Sequence, residues 1–284
     1  MLEKYREKLH SLILLKAFFT KERSSNLSVS FKDKIWALKH GFLSESNVIY
    51  QLDKSNFKFY LSDYDRLKTS LINGKYSTLL DDKVVFENLM NKYLNLPESI
   101  AYVNDGRIIS INDSYNINSY DSFLDYLMLK KQLVIKPISG GGGKGVLILK
   151  VSSSKIYLNS KEISKKELFN TIAKLDKNFI SEFIVQGRYG EILYPHTTNT
   201  IRIVTMLAPN NHKPFIPIAV QRIGNERSIP SDNWTQGGLS VAIDLDTGEL
   251  SRGIMYPSNG ELKVYDRHPD TGQKFKGGVC QIGT

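Results

Sequence analysis

Residues 133–150, LVIKPISGGGGKGVLILK, place four consecutive glycines, a lysine and a fifth glycine between two short apolar runs. A glycine inside a strand costs roughly 0.5–1 kcal/mol relative to alanine, so the four together cost about 2–4 kcal/mol. That is a large share of a typical folding stability, and something should offset it. A nucleotide P-loop needs GxxxxGK followed by Ser or Thr and then a helix. Here Lys144 is followed by Gly145 and an apolar strand pattern, so that reading fails on context. The remaining designs are a long, tolerant hairpin loop and a glycine-rich flap. Four adjacent glycines exceed what a turn needs. Consecutive N–H groups without side chains can close over a polyphosphate. Lys136, at the end of the incoming strand, brings an ammonium to the same place.

Length and composition leave room for this reading. A chain of 284 residues buries a sizeable core, as one large domain or two modest ones. Its single cysteine, Cys280, excludes a disulfide framework and cysteine-rich metal sites, and makes a reducing cytoplasm the expected location. The net charge of +9 suits anionic partners without choosing among them. No run of five basic residues and no nucleic-acid motif occurs, so nucleic acid is not an expected partner. The N-terminal HSLILLKAFF is too short to span a bilayer and lacks a following small-residue cleavage site. It reads as an amphipathic helix with Leu2, Tyr5, Leu9, Leu12 and Ile13 on one face. The weaker alternative is docking of the surrounding lysines on an anionic membrane surface.

Three zones follow along the chain. Residues 1–78 carry apolar spacings of three and four and read as a helical region, with GFLSESN and INGKYS as loops. Residues 79–183 alternate. DDKVVFENLMNKY is a helix opened by acidic residues, SIAYVN and IISI are strands joined by the turn DGR, and SYDSFLDYLMLKK is a helix. Strands then flank the glycine loop, KIYLNSKEI is one further strand, and SKKELFNTIAKL is a helix opened by a capping box. FISEFIV is an extended run. From about Asn199 on, the chain becomes strand after strand, separated by turn residues. Mixed helices and antiparallel strands predict an α+β fold.

At this point the chain resembles the ATP-grasp superfamily. DDKVVFENLM is similar to its early Asp-Lys segment, VIKPISGGGGKGV to its second lysine strand and mobile flap, and FISEFIV to the hinge between its lobes. NTIRIVTM and QRI are similar to its arginine-bearing strands, and NWTQGG to an Asn-x-x-x-Gly-Gly segment. GFLSES, YLSDYDRL, TTNTIRIVT, NWTQGGLSVAIDLDTGEL and HPDTG narrow the resemblance to the bacterial sugar-transfer-associated ATP-grasp proteins. These are related to alpha-L-glutamate ligases. The resemblance implies two α+β lobes with ATP between them, residues 79–183 forming the nucleotide-binding lobe and 184–284 the C-terminal lobe.

It further implies a reaction: ATP-dependent joining of a carboxylate to an amine through an acyl phosphate, in surface-polysaccharide synthesis. The substrates would be sugar-linked and the cofactors ATP and Mg²⁺. Residue by residue, Lys83 and Lys136 would meet phosphates, and Ser139, Gly140, Gly141, Gly142, Gly143 and Lys144 would form the flap. Glu182, Phe183 and Ile184 would hold adenine. Arg202, Arg222 and Asn233 would serve the reaction centre, since arginine's planar fork suits a carboxylate or a transferring phosphoryl group. Asp244 and Asp246 read more simply as a strand-ending turn than as metal ligands. His196 and His268 read as structural or solvated loop residues.

One departure stands out. The family's Mg²⁺ segment is a late Asp-bearing strand followed by a Glu-x-Asn strand. After HPDTGQKFKG the sequence offers GVCQIGT, with no Glu-x-Asn in a suitable position. The expectation is therefore a C-terminal lobe cut short, no assigned metal ligand, and an enzyme only if that segment is supplied. The alternatives are a non-catalytic module that binds nucleotide or an anionic glycan without turnover, and a basic adaptor at a membrane surface.

Overall fold

A computed structural model of the protein describes residues 2–25, 27–70, 72–258, 261–275 and 278, with the side chains of 2–8, 10 and 75 left out. The chain opens with helices α1 (Leu2–Arg23), α2 (Phe31–Lys39), α3 (Ser44–Tyr50), α4 (Asp63–Thr69), α5 (Ser77–Asp81) and α6 (Lys83–Met90). Next come β1 (Ser99–Asn104), β2 (Arg107–Ser110), α7 (Tyr120–Lys130), β3 (Gln132–Pro137), β4 (Leu147–Ser152), β5 (Lys155–Leu158) and β6 (Lys161–Ile163). Helix α8 (Lys165–Ile172), β7 (Asn178–Glu182) and α9 (Arg188–Leu193) lead to β8 (Thr200–Leu207) and β9 (Pro214–Ile223). The last strands are β10 (Leu239–Ile243), β11 (Leu250–Met255) and β12 (Val264–Tyr265). Two antiparallel sheets with flanking helices make the fold α+β. No helix among the described residues is long and apolar enough to cross a membrane.

The chain divides into two compact units. One takes residues 75–198 and 229–233; the other takes 1–74, 199–228 and 234–284. In the first, seven strands pair in the order β2-β1-β7-β3-β4-β5-β6. Alternation along each strand sends Leu133, Ile135, Leu149 and Ile180 into a core closed by Phe123 and Leu127 of α7 and Leu168 and Ile172 of α8. The register pairs Lys136 with Phe179, Val134 with Ser181 and Gln132 with Lys150, so these residues share the opposite face. Ser164 opens α8 with the expected capping box: its hydroxyl accepts from the Glu167 N–H at 3.2 Å, and the Glu167 carboxylate accepts from the Ser164 N–H at 2.7 Å.

The other unit carries a five-stranded sheet, β12-β11-β10-β9-β8, with buried Ile223, Leu239, Val241 and Phe275. Its helices are joined through two buried carboxylates. Glu22 accepts from the Ser44 N–H at 2.9 Å and hydroxyl at 2.6 Å, and Asp63 accepts from the Leu43 N–H at 2.9 Å. Together they satisfy donors that the start of α3 leaves open. Burial pushes the Glu22 carboxyl up, but the two Ser44 bonds and the Lys34 ammonium at 2.9 Å outweigh it and hold the group below its usual value.

Several local expectations are corrected. Leu9, Leu12 and Ile13 are exposed, and α1 instead buries Leu14, Phe18 and Glu22, with Phe18 edge-on to Tyr64 of α4. The side chains of Leu2 and Tyr5 lie outside the described residues. GFLSESN is not all loop, because α3 begins at Ser44 once Glu22 and Asp63 cap it. KIYLNSKEI is a hairpin, β5–β6, turning at Asn159 and Ser160 with φ of 47° and 70°. Helix α9 interrupts what reads as an irregular connection.

Candidate nucleotide site

Helix α6 starts where its sequence allows. Asp82 is the N-cap, accepting from the Val84 and Val85 N–H groups at 3.1 and 2.9 Å. This puts Lys83 in the first turn, where its ammonium donates to the carbonyls of Ile138 at 3.2 Å and Gly140 at 2.8 Å. Lys136, near the end of β3, holds its ammonium 5.0 Å above the centre of the Phe179 ring. The two lysines line one cavity of about 160 Å³ with Phe86, Glu87, Ser99 and Phe179. Glu87 is occupied there: it accepts from both the N–H and the hydroxyl of Ser99.

The electrostatics of this cavity favour an anion. Burial holds Lys136 below the usual lysine range, the nearby Lys83 charge adds to the fall, and Glu87 partly opposes it. Burial also lowers Lys83, against the pull of Asp81 and Asp82. Among the described residues, neither ammonium forms an ion pair. Two partly desolvated like charges, only partly offset by Glu87, Asp81 and Asp82, form a site that gains when a polyanion enters.

The glycine loop starts beside them. Its residues Gly140, Gly142, Gly143 and Gly145 all have φ between 73° and 92°, the left-handed region where side chains are strained. The Gly140 N–H donates to Asp81 at 3.2 Å, and the Asn233 side-chain amide donates to the Gly142 carbonyl. A Cβ on Gly143 would lie 3.1 Å from the Ser231 hydroxyl. Ser139 and Lys144 are exposed and line neither this cavity nor the next.

A larger cavity, about 430 Å³, opens further along the same sheet face and over the segment after β7. Phe183 and Ile184 line it, with Gln132, Lys150, Glu191 and His196. Glu182 is not among its lining residues. Its carboxylate accepts from the Glu98 N–H at 3.4 Å and contributes to raising the hydroxyls of Tyr115 and Tyr126, for which burial is the main cause. Sequence reasoning missed Gln132 and Lys150, although even spacing from Lys136 along β3, and pairing across to β4, puts both on its face. It also missed Asp81 and Ser231, whose roles depend on contacts between remote segments.

In the other unit, Arg202 and Arg222 lie on one face of the five-stranded sheet, because Arg202 pairs with Val220 and Arg222 with Thr200. Asp244 accepts from the Asp246 N–H at 3.1 Å and the Thr247 N–H at 2.8 Å, the turn its sequence predicts. His268 is buried, bonded through Nε2 to the Gly224 carbonyl at 2.8 Å and accepting at Nδ1 from the Asp270 and Thr271 N–H groups, a structural role. His196 lies edge-on to Tyr194 and lines the larger cavity. No group of three or more His, Cys, Asp or Glu among the described residues is arranged to hold a metal ion.

Comparison with known proteins adds the following. The family model described as sugar-transfer associated ATP-grasp matches residues 63–283. A solved structure of D-alanine–D-alanine ligase from Bacillus anthracis aligns with 15% identity and a TM-score of 0.24, covering 64% of this chain. The alignment spans 54% of that ligase, about half its length. Curated proteins gave no match.

Proposed function

This chain belongs to the sugar-transfer associated ATP-grasp family, and from that membership we propose that it is an ATP-dependent carboxylate–amine ligase. The observation that carries the reading is the pair Lys83 and Lys136, two desolvated ammoniums in one cavity beside a glycine loop. They receive the phosphates of ATP, with the loop of Ser139, Lys144 and the intervening glycines over them. The base takes the cavity at Phe183 and Ile184, whose backbone supplies donors and acceptors. Glu182 joins that site only by leaving the Glu98 amide.

A substrate carboxylate oxygen attacks the γ-phosphorus, the bond to the β–γ bridging oxygen breaks, and ADP leaves with that electron pair. The amine nitrogen then attacks the acyl carbon, phosphate departs with the C–O electrons, and the amine proton passes to solvent. Catalysis of this kind rests on positioning and on neutralising charge. Arg202 and Arg222 are proposed for the reacting groups, and the reactants for sugar-linked compounds of bacterial surface-polysaccharide synthesis in the cytoplasm. Mg²⁺, when bound, neutralises phosphate charge. The described residues supply no ligand set for it, so no step is assigned to it.

Calorimetry with ATP and Mg²⁺ tests the binding half. Wild type should bind, and Lys83→Ala and Lys136→Ala should each weaken binding by tenfold or more. Phosphate release on adding acids and amines tests the chemical half. Binding without release in any acid–amine pair would favour the second reading, a module that holds nucleotide or an anionic glycan without turnover.

A further inference from the structure

The glycine loop is fastened by groups that come from three separate parts of the same unit. Asp81, at the end of α5, accepts from the Gly140 N–H; Lys83, at the start of α6, takes the Gly140 carbonyl; Asn233 takes the Gly142 carbonyl. A trans peptide is planar and its N–H points opposite to its C=O. Pinning the carbonyls of Gly140 and Gly142 therefore turns the N–H groups of Gly141 and Gly143 the other way. Ser231 then backs Gly143, leaving about 3.1 Å where a Cβ would stand. The result is an ordered backbone with alternate N–H groups directed away from their anchors, an arrangement suited to phosphate oxygens.

We propose that Asn233 and Asp81 are positioning residues that hold the glycine loop as a preformed seat, and that nucleotide affinity depends on this fastening. The dependence on nucleotide rests on the function proposed above; the fastening does not. A free glycine run loses about 1–2 kcal/mol of backbone entropy per residue when it orders. A loop ordered before binding spares the ligand that cost, which is the general source of affinity from preorganisation. Asn233, whose residue type and place in NWTQGG imply work at the reaction centre, acts in this account through the loop.

Limited trypsin digestion of the nucleotide-free full chain reads the fastening directly, because Lys144 offers a cleavable bond inside the loop. Asn233→Ala and Asp81→Ala should speed cleavage after Lys144 by roughly three- to tenfold, the worth of one hydrogen bond. Cleavage after Lys155 and the unfolding temperature should stay unchanged. Asn233→Asp, the same shape without the donor, should follow Asn233→Ala, and it covers the case in which the alanine variant folds poorly. In the same variants, calorimetry with ATP and Mg²⁺ should show affinity weaker by a similar factor. Equal cleavage after Lys144 in wild type and variants would overturn the fastening, whatever ATP does. Faster cleavage with unchanged ATP affinity would overturn the link to binding. A wild type that binds no ATP would sink the nucleotide reading while the digestion still decides the fastening.

Discussion

At the scale of single residues, Lys136 works against the fold that carries it. Its depressed proton affinity means that the folded chain takes up this proton less readily than the unfolded chain, whose lysine titrates near 10.5. Stability therefore falls as pH drops through the interval below 10.5, and at neutral pH the penalty stands in full. Lys136→Met should abolish ATP binding yet leave the unfolding temperature at pH 7 equal to or above that of wild type. A marked loss of stability would contradict the electrostatic account of the cavity. ATP arriving beside both lysines raises their proton affinity, so binding in alkaline buffers should take up protons. Titrations in buffers of different ionisation heat measure this uptake, and affinity should decline as pH rises.

Glu22 has the opposite sign. Its lowered carboxyl stabilises the fold above its ordinary value near pH 4.5, and that contribution is lost as pH falls through the lowered one. Glu22→Ala should cost about 1–3 kcal/mol at pH 7, since it leaves the Ser44 donors unmet. Denaturant titration followed by the fluorescence of Trp36 and Trp234 reads it. The placement of Lys136, near the end of a strand that runs into the glycine loop, was legible from its position before a glycine run. Glu22 was not, because its value lies in Ser44, which is distant in sequence and reads as part of a loop.

Among elements, local signals carried far and long-range ones did not. The strands around the glycine loop and the DGR turn were legible because apolar alternation and turn chemistry act over a few residues. So was the Ser164 capping box. Ser164→Ala should cost about 0.5–2 kcal/mol, seen as a lower unfolding temperature. The buried stripe of α1 was not legible, since Leu9, Leu12 and Ile13 fit a helical face as well as Leu14 and Phe18 do. Only packing against α4 chooses between them. The β5–β6 hairpin was missed for a related reason. Asn159 and Ser160 adopt left-handed turn angles without a glycine to announce them. For the candidate site, the lysines and the loop were readable, whereas Asp81 and Ser231 meet the loop only through the tertiary fold.

Taken as a whole molecule, the two lysines, the glycine loop and the larger cavity all fall within the unit made of residues 75–198 and 229–233. Hydrogen exchange with ATP should therefore show its strongest new protection at 81–90, 132–150 and 229–233. Protection confined to 1–74 would place the nucleotide elsewhere. Family membership, shown over residues 63–283, was readable because the motifs there follow one another in order, even where each alone is weak.

The ammonium of Lys83 has three N–H donors and gives two of them to the oxygens of Ile138 and Gly140. The third is enough to greet an arriving phosphate oxygen without loosening the clasp. A lysine held in this way works as a rivet, joining helix to loop on one side while its remaining end faces the visitor.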